Sequence, residues 1–196
     1  MQIEKLLAKF GLTAVRYGDG TGGKGLLSLD EQLAAVGITW HQSNAGFLLL
    51  IAQCNNDKRA LNDLMHLVYQ MAAQLFADHW RGFCPKQAVT ALCVTAVAIA
   101  LHEQGRQCDA CHGTGKVKRY RKQVKCQNCV DGYIPWDKYS IYSAFNEQLP
   151  ITFDAFESYR PYVDTLVEWI ANERTTAFLA MEERMQLEIA EARLVA

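Results

Sequence analysis

The sequence lacks a recognisable secretory leader and a membrane-spanning apolar run. The opening stretch from Met1 to Phe10 has no basic start, no long apolar run and no small-residue cleavage site. The apolar run from Ala88 to Leu101 is shorter than the roughly 18 residues that a membrane span requires, and Thr90 and Thr95 interrupt it. We therefore expect a protein of the cell interior, with reduced cysteines and no membrane partner.

Catalytic signals are missing as well. The stretch Gly18–Gly25 comes close to the phosphate loop G-x-x-x-x-G-K-[S/T], but Gly25 stands where a Ser or Thr hydroxyl would bind magnesium. No buried parallel-strand run precedes it, so a flexible linker is the better interpretation. No set of serine, histidine and acid, and no carboxylate pair with an obvious pocket, occurs in the chain. The sequence therefore predicts a protein that is not an enzyme.

Acidic residues are absent from the interval between Cys111 and Cys126, although the whole chain has a formal net charge of only −1. Acids are frequent instead in the tail from Asp154 onward. A block of one sign inside a nearly neutral chain indicates an anionic partner. The alternative is an ordinary solvated charge run. The basic residues of this block, which we predict to contact nucleic acid, are Lys116, Lys118, Arg119, Arg121, Lys122 and Lys125.

Two Cys-x-x-Cys pairs, Cys108 with Cys111 and Cys126 with Cys129, frame the basic block and are separated by 14 residues. Each pair places two thiolates on one tight turn, so two such turns supply the four corners of a tetrahedral zinc site. Four thiolates leave no open position for a catalytic water. We therefore predict one structural Zn²⁺, which stabilises the segment by roughly 10 kcal/mol. Two disulfides, or plain buried thiols, are the alternatives, and nothing in the sequence suggests the oxidising compartment that disulfides need.

Helical periodicity dominates the remainder, and we predict a mainly α fold, with bundle-like helical domains and an inserted zinc-binding finger that has four cysteine ligands. The segment from Lys116 to Lys125 is predicted to be a β-hairpin or an extended finger, because Val117, Tyr120 and Val124 are interspersed among the charges. The remaining Cys54, Cys84 and Cys93 are predicted to be small buried side chains. The predicted division is an N-terminal helix with a glycine-rich linker (1–27), a helical domain (28–106), the finger (107–135) and a C-terminal helical region with a helix-turn-helix-like pair (136–196).

Two stretches have the outline of a helix-turn-helix. In the first, a helix capped by Ser28 is followed by a second helix that starts at Thr39. That second helix has no Arg or Lys, which favours a structural helical hairpin over a DNA reader. The second candidate follows the finger, where Lys138 and Arg160 are predicted to extend the DNA-binding surface.

With these features in place, the chain resembles the late-gene antitermination protein Q family of lambda-like phages. The resemblance covers about residues 30 to 175 and lies in the succession of several short motifs. These are Leu33-Ala-Ala-Val-Gly37, Gln42-Ser-Asn-Ala-Gly-Phe47, Cys108-Asp-Ala-Cys-His-Gly-Thr-Gly115, Cys126-Gln-Asn-Cys129 followed by Gly132-Tyr133, and Pro161-Tyr-Val-Asp-Thr-Leu166.

The resemblance implies a transcription factor without enzymatic activity that works in the cytoplasm of the bacterial host. Members of the family bind a double-stranded DNA element in the phage late promoter and engage RNA polymerase that is paused by its sigma subunit. They contact sigma region four and the flap of the β subunit. They then travel with the polymerase past terminators by obstructing RNA hairpin formation at the exit channel.

Two alternatives of other classes stay open. The Cys-x-x-Cys-His-Gly-Thr-Gly motif also occurs in the cysteine-rich repeats of DnaJ-type chaperones, so a zinc-finger chaperone or assembly module is the second hypothesis. It requires an exposed apolar groove and four repeats with two metals, whereas this chain has two repeats. The third hypothesis, an enzyme built on the glycine loop, requires nucleotide binding that survives removal of zinc.

Overall fold

The fold is that of a computed structural model, which describes residues 37, 39–79, 86–119 and 122–195. Several predictions lie outside these residues. They are the N-terminal helix and glycine-rich linker, the helix capped by Ser28, the environment of Cys84, and the hairpin residues Tyr120 and Arg121.

The described chain is mainly helical, which confirms the predicted fold class. The helices are α1 (Asn44–Asn55), α2 (Lys58–His79), α3 (Lys86–Leu101), α4 (Lys138–Gln148), α5 (Phe153–Glu157) and α6 (Arg160–Val195). Four short strands lie between α3 and α4: β1 (Arg106–Gln107), β2 (Lys116–Arg119), β3 (Lys122–Lys125) and β4 (Tyr133–Ile134). They form two antiparallel pairs, β1 with β4 and β2 with β3. Within the described ranges, none of the helices has the length and apolarity to cross a membrane.

Backbone contacts divide the chain into two compact units. The first holds the described residues up to Leu67 together with those from Glu168 onward, and the second is Val68–Val167. The four cysteines and the β-strands therefore belong to the same unit as α3, α4 and α5. The boundary between the two units falls inside the predicted C-terminal segment 136–196, so this segment belongs partly to each unit.

In the first unit, α1 is an almost wholly buried helix that begins after Ser43, not at Thr39 as predicted. Residues 39–42 form a separate helical turn, and Ser43 has extended backbone with φ −155° and ψ 92°. The Ser43 hydroxyl accepts the N–H of Gly46 and lies 2.5 Å from a carboxylate oxygen of Glu173. Ser43 is the N-cap residue of α1, and its extended backbone interrupts the helix that was predicted to start at Thr39.

Gly46 lies where α1 meets the backbone of α6. A Cβ built on Gly46 would lie 2.0 Å from the carbonyl oxygen of Glu173. The small glycine therefore allows the two backbones to approach closely at this position. Neither helix has room for a methyl group at the crossing, because the obstructing atoms are backbone.

We expect Gly46→Ala to destabilise the protein by about 2 kcal/mol or more, because the helices must separate to admit the methyl group. Gly37→Ala is the matched control, since a Cβ there meets nothing within 4 Å and Gly37 is helical. Urea unfolding monitored by circular dichroism measures both. Equal stability of the two variants would show that the α1–α6 crossing is looser than described.

In the second unit, helices α4 and α5 each begin at a residue whose side chain caps the first turn. Asp137 caps α4 by accepting the N–H groups of Tyr139 and Ser140, and the Ser140 hydroxyl accepts the N–H of Asp137 in return. Thr152 caps α5 by accepting the N–H of Ala155. Pro161 is the second residue of α6, in the first turn, where the missing N–H of proline is tolerated.

The pKa of Asp137 is lowered, chiefly because the backbone N–H of Ser140 donates to its carboxylate. A carboxyl group with a lowered pKa in the folded state stabilises the fold above its unfolded pKa of about 3.9, and this contribution is lost as the pH falls through the folded pKa. We expect the stability advantage of the wild type over Asp137→Asn to be constant above about pH 5 and to shrink at lower pH. Urea unfolding of both proteins across this range measures it; a pH-independent difference would contradict the assignment.

Candidate metal centre and basic hairpin

Four cysteine sulfurs gather at one point of the second unit. The Sγ atoms of Cys108, Cys111, Cys126 and Cys129 all lie within 4.8 Å of one another, with 4.0 Å between Cys108 and Cys126 and 3.6 Å between Cys111 and Cys129. These separations are far longer than the roughly 2.05 Å of a disulfide, so the disulfide alternative is excluded for these cysteines. The group could hold a metal ion through four sulfur ligands.

The backbone around the sulfurs forms two interlocked turns, one after each Cys-x-x-Cys pair. The N–H of Cys108 donates to the carbonyl of Gly132 at 2.9 Å, and the N–H of Cys126 donates to the carbonyl of Gly115 at 2.8 Å. Each turn therefore fixes the first cysteine of the other pair. The interlock depends on glycine, because Gly132 has φ 102° and a Cβ there would lie 2.2 Å from the carbonyl oxygen of Gly113.

The sulfurs influence one another's protonation. Burial raises the pKa of Cys111, but hydrogen bonds from the Cys129 thiol and the backbone of Gly115 outweigh it and lower the pKa to about 7. Burial and the neighbouring Cys111 sulfur raise the pKa of Cys129 to about 12. Without a cation, the cluster cannot carry four negative charges, because burial and mutual repulsion oppose them. A bound metal ion would supply the compensating positive charge.

The other cysteines lie elsewhere. Cys93 is buried as predicted, and burial raises the pKa of its thiol to about 12. Cys54 is exposed, so the prediction that it is buried is wrong. It lies in the last turn of α1, next to Asn55 and the left-handed Asn56, where the chain leaves the buried part of the helix. His112 is exposed and is not part of the four-sulfur group.

Arg106 and Trp136 connect the four-cysteine group to the helices, a role that sequence reasoning missed. The guanidinium of Arg106 pairs with Glu147 of α4 at 2.7 Å and with Asp109 beside Cys108 at 3.2 Å. The indole N–H of Trp136 donates to the carbonyl of His102 at 2.7 Å. No local pattern could have revealed these contacts, because the two partners in most of them are more than thirty residues apart in the sequence.

A pocket of about 260 Å³ lies beside this connection, between α3, β1 and α4. Thr95 lies on its wall, and the Thr95 hydroxyl oxygen is buried without a hydrogen-bond partner. An unsatisfied buried hydroxyl lowers stability, so we expect Thr95→Val to increase it by about 1 kcal/mol. Thr90→Val is the control, because Thr90 is exposed and its hydroxyl donates to the Lys86 carbonyl. This variant should change the stability little. Thermal unfolding compares them; destabilisation by Thr95→Val would reveal a partner for the hydroxyl.

Strands β2 and β3 form the hairpin that the sequence predicted, and its register sets like charges against each other. Lys116 is opposite Lys125, and Arg119 is opposite Lys122. Like charges in directly opposed positions of an antiparallel pair repel and destabilise it. The hairpin therefore carries an unfavourable charge arrangement that an anionic ligand would relieve.

The two faces of the hairpin differ. Side chains alternate along a strand and directly opposed residues share a face. The outer face therefore holds Lys116, Lys118, Gln123 and Lys125, and the inner face holds Val117, Arg119, Lys122 and Val124. At the base of the inner face, Val117 packs against the sulfur cluster. The outer face is therefore the one left open to a ligand along its whole length.

The residues predicted to contact DNA fall into three groups. All the predicted hairpin residues that the structure describes are exposed: Lys116, Lys118, Arg119, Lys122 and Lys125. Lys125 has a weak ion pair with Asp131 at 4.0 Å. Arg160 pairs with Glu157 at 3.9 Å and with Asp164 at 3.8 Å, and its contact with DNA stays a prediction. Lys138 lies beside aromatic rings.

Comparison with known proteins gives no assignment: no protein-family model matches the chain, and no curated protein matches it.

Proposed function

We propose that the protein is a zinc-stabilised, DNA-binding transcription factor of the phage late-gene antitermination class, without enzymatic activity. The observation that carries the proposal is a hairpin built on a cluster of four sulfurs, in which two of the four opposed pairs, Lys116 with Lys125 and Arg119 with Lys122, are both positively charged. A charge arrangement that destabilises the free hairpin is favourable once phosphates lie against it.

The metal in this proposal is Zn²⁺. A tetrahedral zinc with Zn–S bonds of about 2.3 Å separates its sulfurs by about 3.8 Å. The separations of 4.0 Å between Cys108 and Cys126 and 3.6 Å between Cys111 and Cys129 bracket that value. Four sulfur ligands favour zinc over the hard cations calcium and magnesium, which take oxygen ligands. All four positions are filled, so the ion would be structural.

The hairpin has a suitable shape for duplex DNA. The major groove admits a two-stranded β-ribbon, and strands β2 and β3 are each four residues long. Lys116, Lys118 and Lys125 on the outer face would contact phosphates, which gives affinity and orientation without reading the sequence. The rigid attachment of both strands to the sulfur cluster reduces the conformational entropy that binding removes.

The resemblance to the antitermination family supplies the rest of the proposal. The protein would bind an element in a phage late promoter, join the paused RNA polymerase through sigma region four and the β flap, and act in the cytoplasm of the bacterial host. Exposed acids on α6, such as Glu182 and Glu183, offer a surface of opposite sign to the hairpin for a protein partner.

A terminator read-through assay with purified bacterial polymerase tests the proposal. On a template with the cognate late promoter, the zinc-loaded protein is expected to increase the full-length transcript, and the protein with Cys108→Ser is not. Read-through that is equal with and without the protein on such a template would refute the antitermination activity.

The DnaJ-like chaperone is the second candidate, favoured by the Cys-His-Gly-Thr-Gly motif. Its class requires two metals and an apolar groove, whereas the described residues contain one four-cysteine group and a hairpin whose exposed faces are mainly cationic. Suppression of the aggregation of an unfolded client, together with absence of DNA binding, would favour this candidate over the first.

A further inference from the structure

We infer that Tyr139, supported by Phe153 and flanked by Lys138, is a stacking platform for an unpaired nucleobase. This inference rests on the proposed nucleic-acid function and adds a second contact of a different kind. The hairpin recognises phosphates, whereas the platform would recognise the flat face of a base that is not in a duplex.

Tyr139 is an unusually exposed aromatic residue, with 60% of its surface open to solvent. It lies in the first turn of α4, six residues after β4 begins, so the chain leads directly from the metal centre to the platform. Stacking on an aromatic ring is the usual way in which proteins hold single-stranded nucleic acid.

The ring is held in place by a chain of aromatic contacts that ends in the core. Tyr139 stacks on Phe153 with 5.4 Å between ring centroids, and Phe153 contacts the ring of Tyr142 at 5.3 Å. Tyr142 in turn contacts the fully buried Phe156, and the Tyr142 hydroxyl donates to the carbonyl of Ile151. The platform is therefore supported from below by rings that cannot move freely, which lowers the entropic cost of binding.

Lys138 places a positive charge over the same rings. Its ammonium lies 5.0 Å from the centroid of Tyr139 and 5.9 Å from that of Phe153. The nearest carboxylate in sequence, that of Asp137, accepts the N–H groups of Tyr139 and Ser140 and is held in the helix cap. A nucleotide combines a flat ring with an anionic phosphate, and this pairing of ring and cation matches both parts.

This chemistry favours unpaired bases over a duplex, because the flat face of a base in a duplex is covered by its neighbours. It also favours nucleic acid over an acidic peptide, which would use the lysine but not the ring. The flat faces of DNA and RNA bases are alike, so the platform alone accepts either one.

Fluorescence anisotropy with a labelled single strand tests the inference. Tyr139→Ala is expected to weaken binding of a short single-stranded DNA roughly 5- to 100-fold, as the loss of one stacked base predicts, and Tyr139→Phe to bind like the wild type. Binding of the matching duplex should change by no more than about twofold, since the hairpin supplies that affinity. Tyr69→Ala, at an exposed tyrosine of α2, is the control and should affect neither.

An abasic strand of equal length separates stacking from charge, because it keeps the phosphates and loses the bases. The wild type and Tyr139→Ala should bind it equally. If Tyr139→Ala leaves the affinity for the normal strand unchanged, or weakens the abasic strand and the duplex to the same extent, the platform is refuted. When the platform is refuted in one of these ways but the wild type still binds the duplex, only the platform inference fails and the proposed function stands. If the wild type binds no nucleic acid at all, the proposed function fails too. Repeating the comparison with an RNA strand shows which kind of single strand is preferred.

Discussion

Cys108→Ser is expected to abolish metal binding and, with it, the folded hairpin. Among the residues that the structure describes, the sulfurs pack with Val117 and Ile134 in a cluster of their own, so little apolar burial remains to hold the segment together once the ion is lost. An isolated two-stranded hairpin is marginally stable at best, and this one also has opposed like charges. We expect amide hydrogen exchange of residues 106–134 to accelerate by at least about 100-fold.

The same change should leave most of the helical circular dichroism, because the helices bury a separate set of apolar side chains. Cys54→Ser is the matched control, since Cys54 is exposed on α1, and it should retain one zinc ion per chain. Metal analysis of the wild type in reducing buffer is the first measurement. A content well below one ion per chain, with the amides of Cys108 and Cys126 still protected, would show that the interlocked turns are stable without metal.

The metal centre could be predicted from the sequence because its information is local. A Cys-x-x-Cys turn fixes two ligands within four residues, and the spacing to the second pair leaves room for one hairpin. The hairpin itself was predictable from the alternation of Val117 and Val124 with charged residues. Its register, and with it the opposition of Lys116 to Lys125, depends on how the two turns interlock through hydrogen bonds between Cys108 and Gly132 and between Cys126 and Gly115.

The contacts that could not be predicted join residues that are distant in the sequence. Glu173 determines where α1 begins, because it meets Ser43 and Gly46 from more than 120 residues away. The sequence around Tyr139 has no pattern that distinguishes an exposed, stacked ring from a buried one. Its stacking on Phe153 is visible only once the chain is folded.

Neutralising the outer face of the hairpin is expected to weaken duplex binding more than neutralising the inner face. The double variant with Lys116→Gln and Lys118→Gln removes two cations from the open face, whereas the variant with Arg119→Gln and Lys122→Gln removes two from the face whose base packs on the sulfurs. If both outer lysines contact phosphates, the slope of log affinity against log salt should fall by about two. At moderate salt the affinity should fall roughly 10- to 100-fold.

The double variant with Lys58→Gln and Arg59→Gln, both exposed in the first turn of α2, changes the net charge by the same amount and serves as the control. It should leave the salt slope unchanged, because a general reduction in charge does not remove a specific phosphate contact.

The loss of affinity in the outer-face variant should also come without loss of stability. Lys116→Gln removes a repulsion with Lys125, so the melting temperature should stay constant or rise slightly. An unchanged salt slope in both hairpin variants would identify the basic block as ordinary solvated surface, and a lowered melting temperature would show that these lysines support the fold instead of binding a ligand.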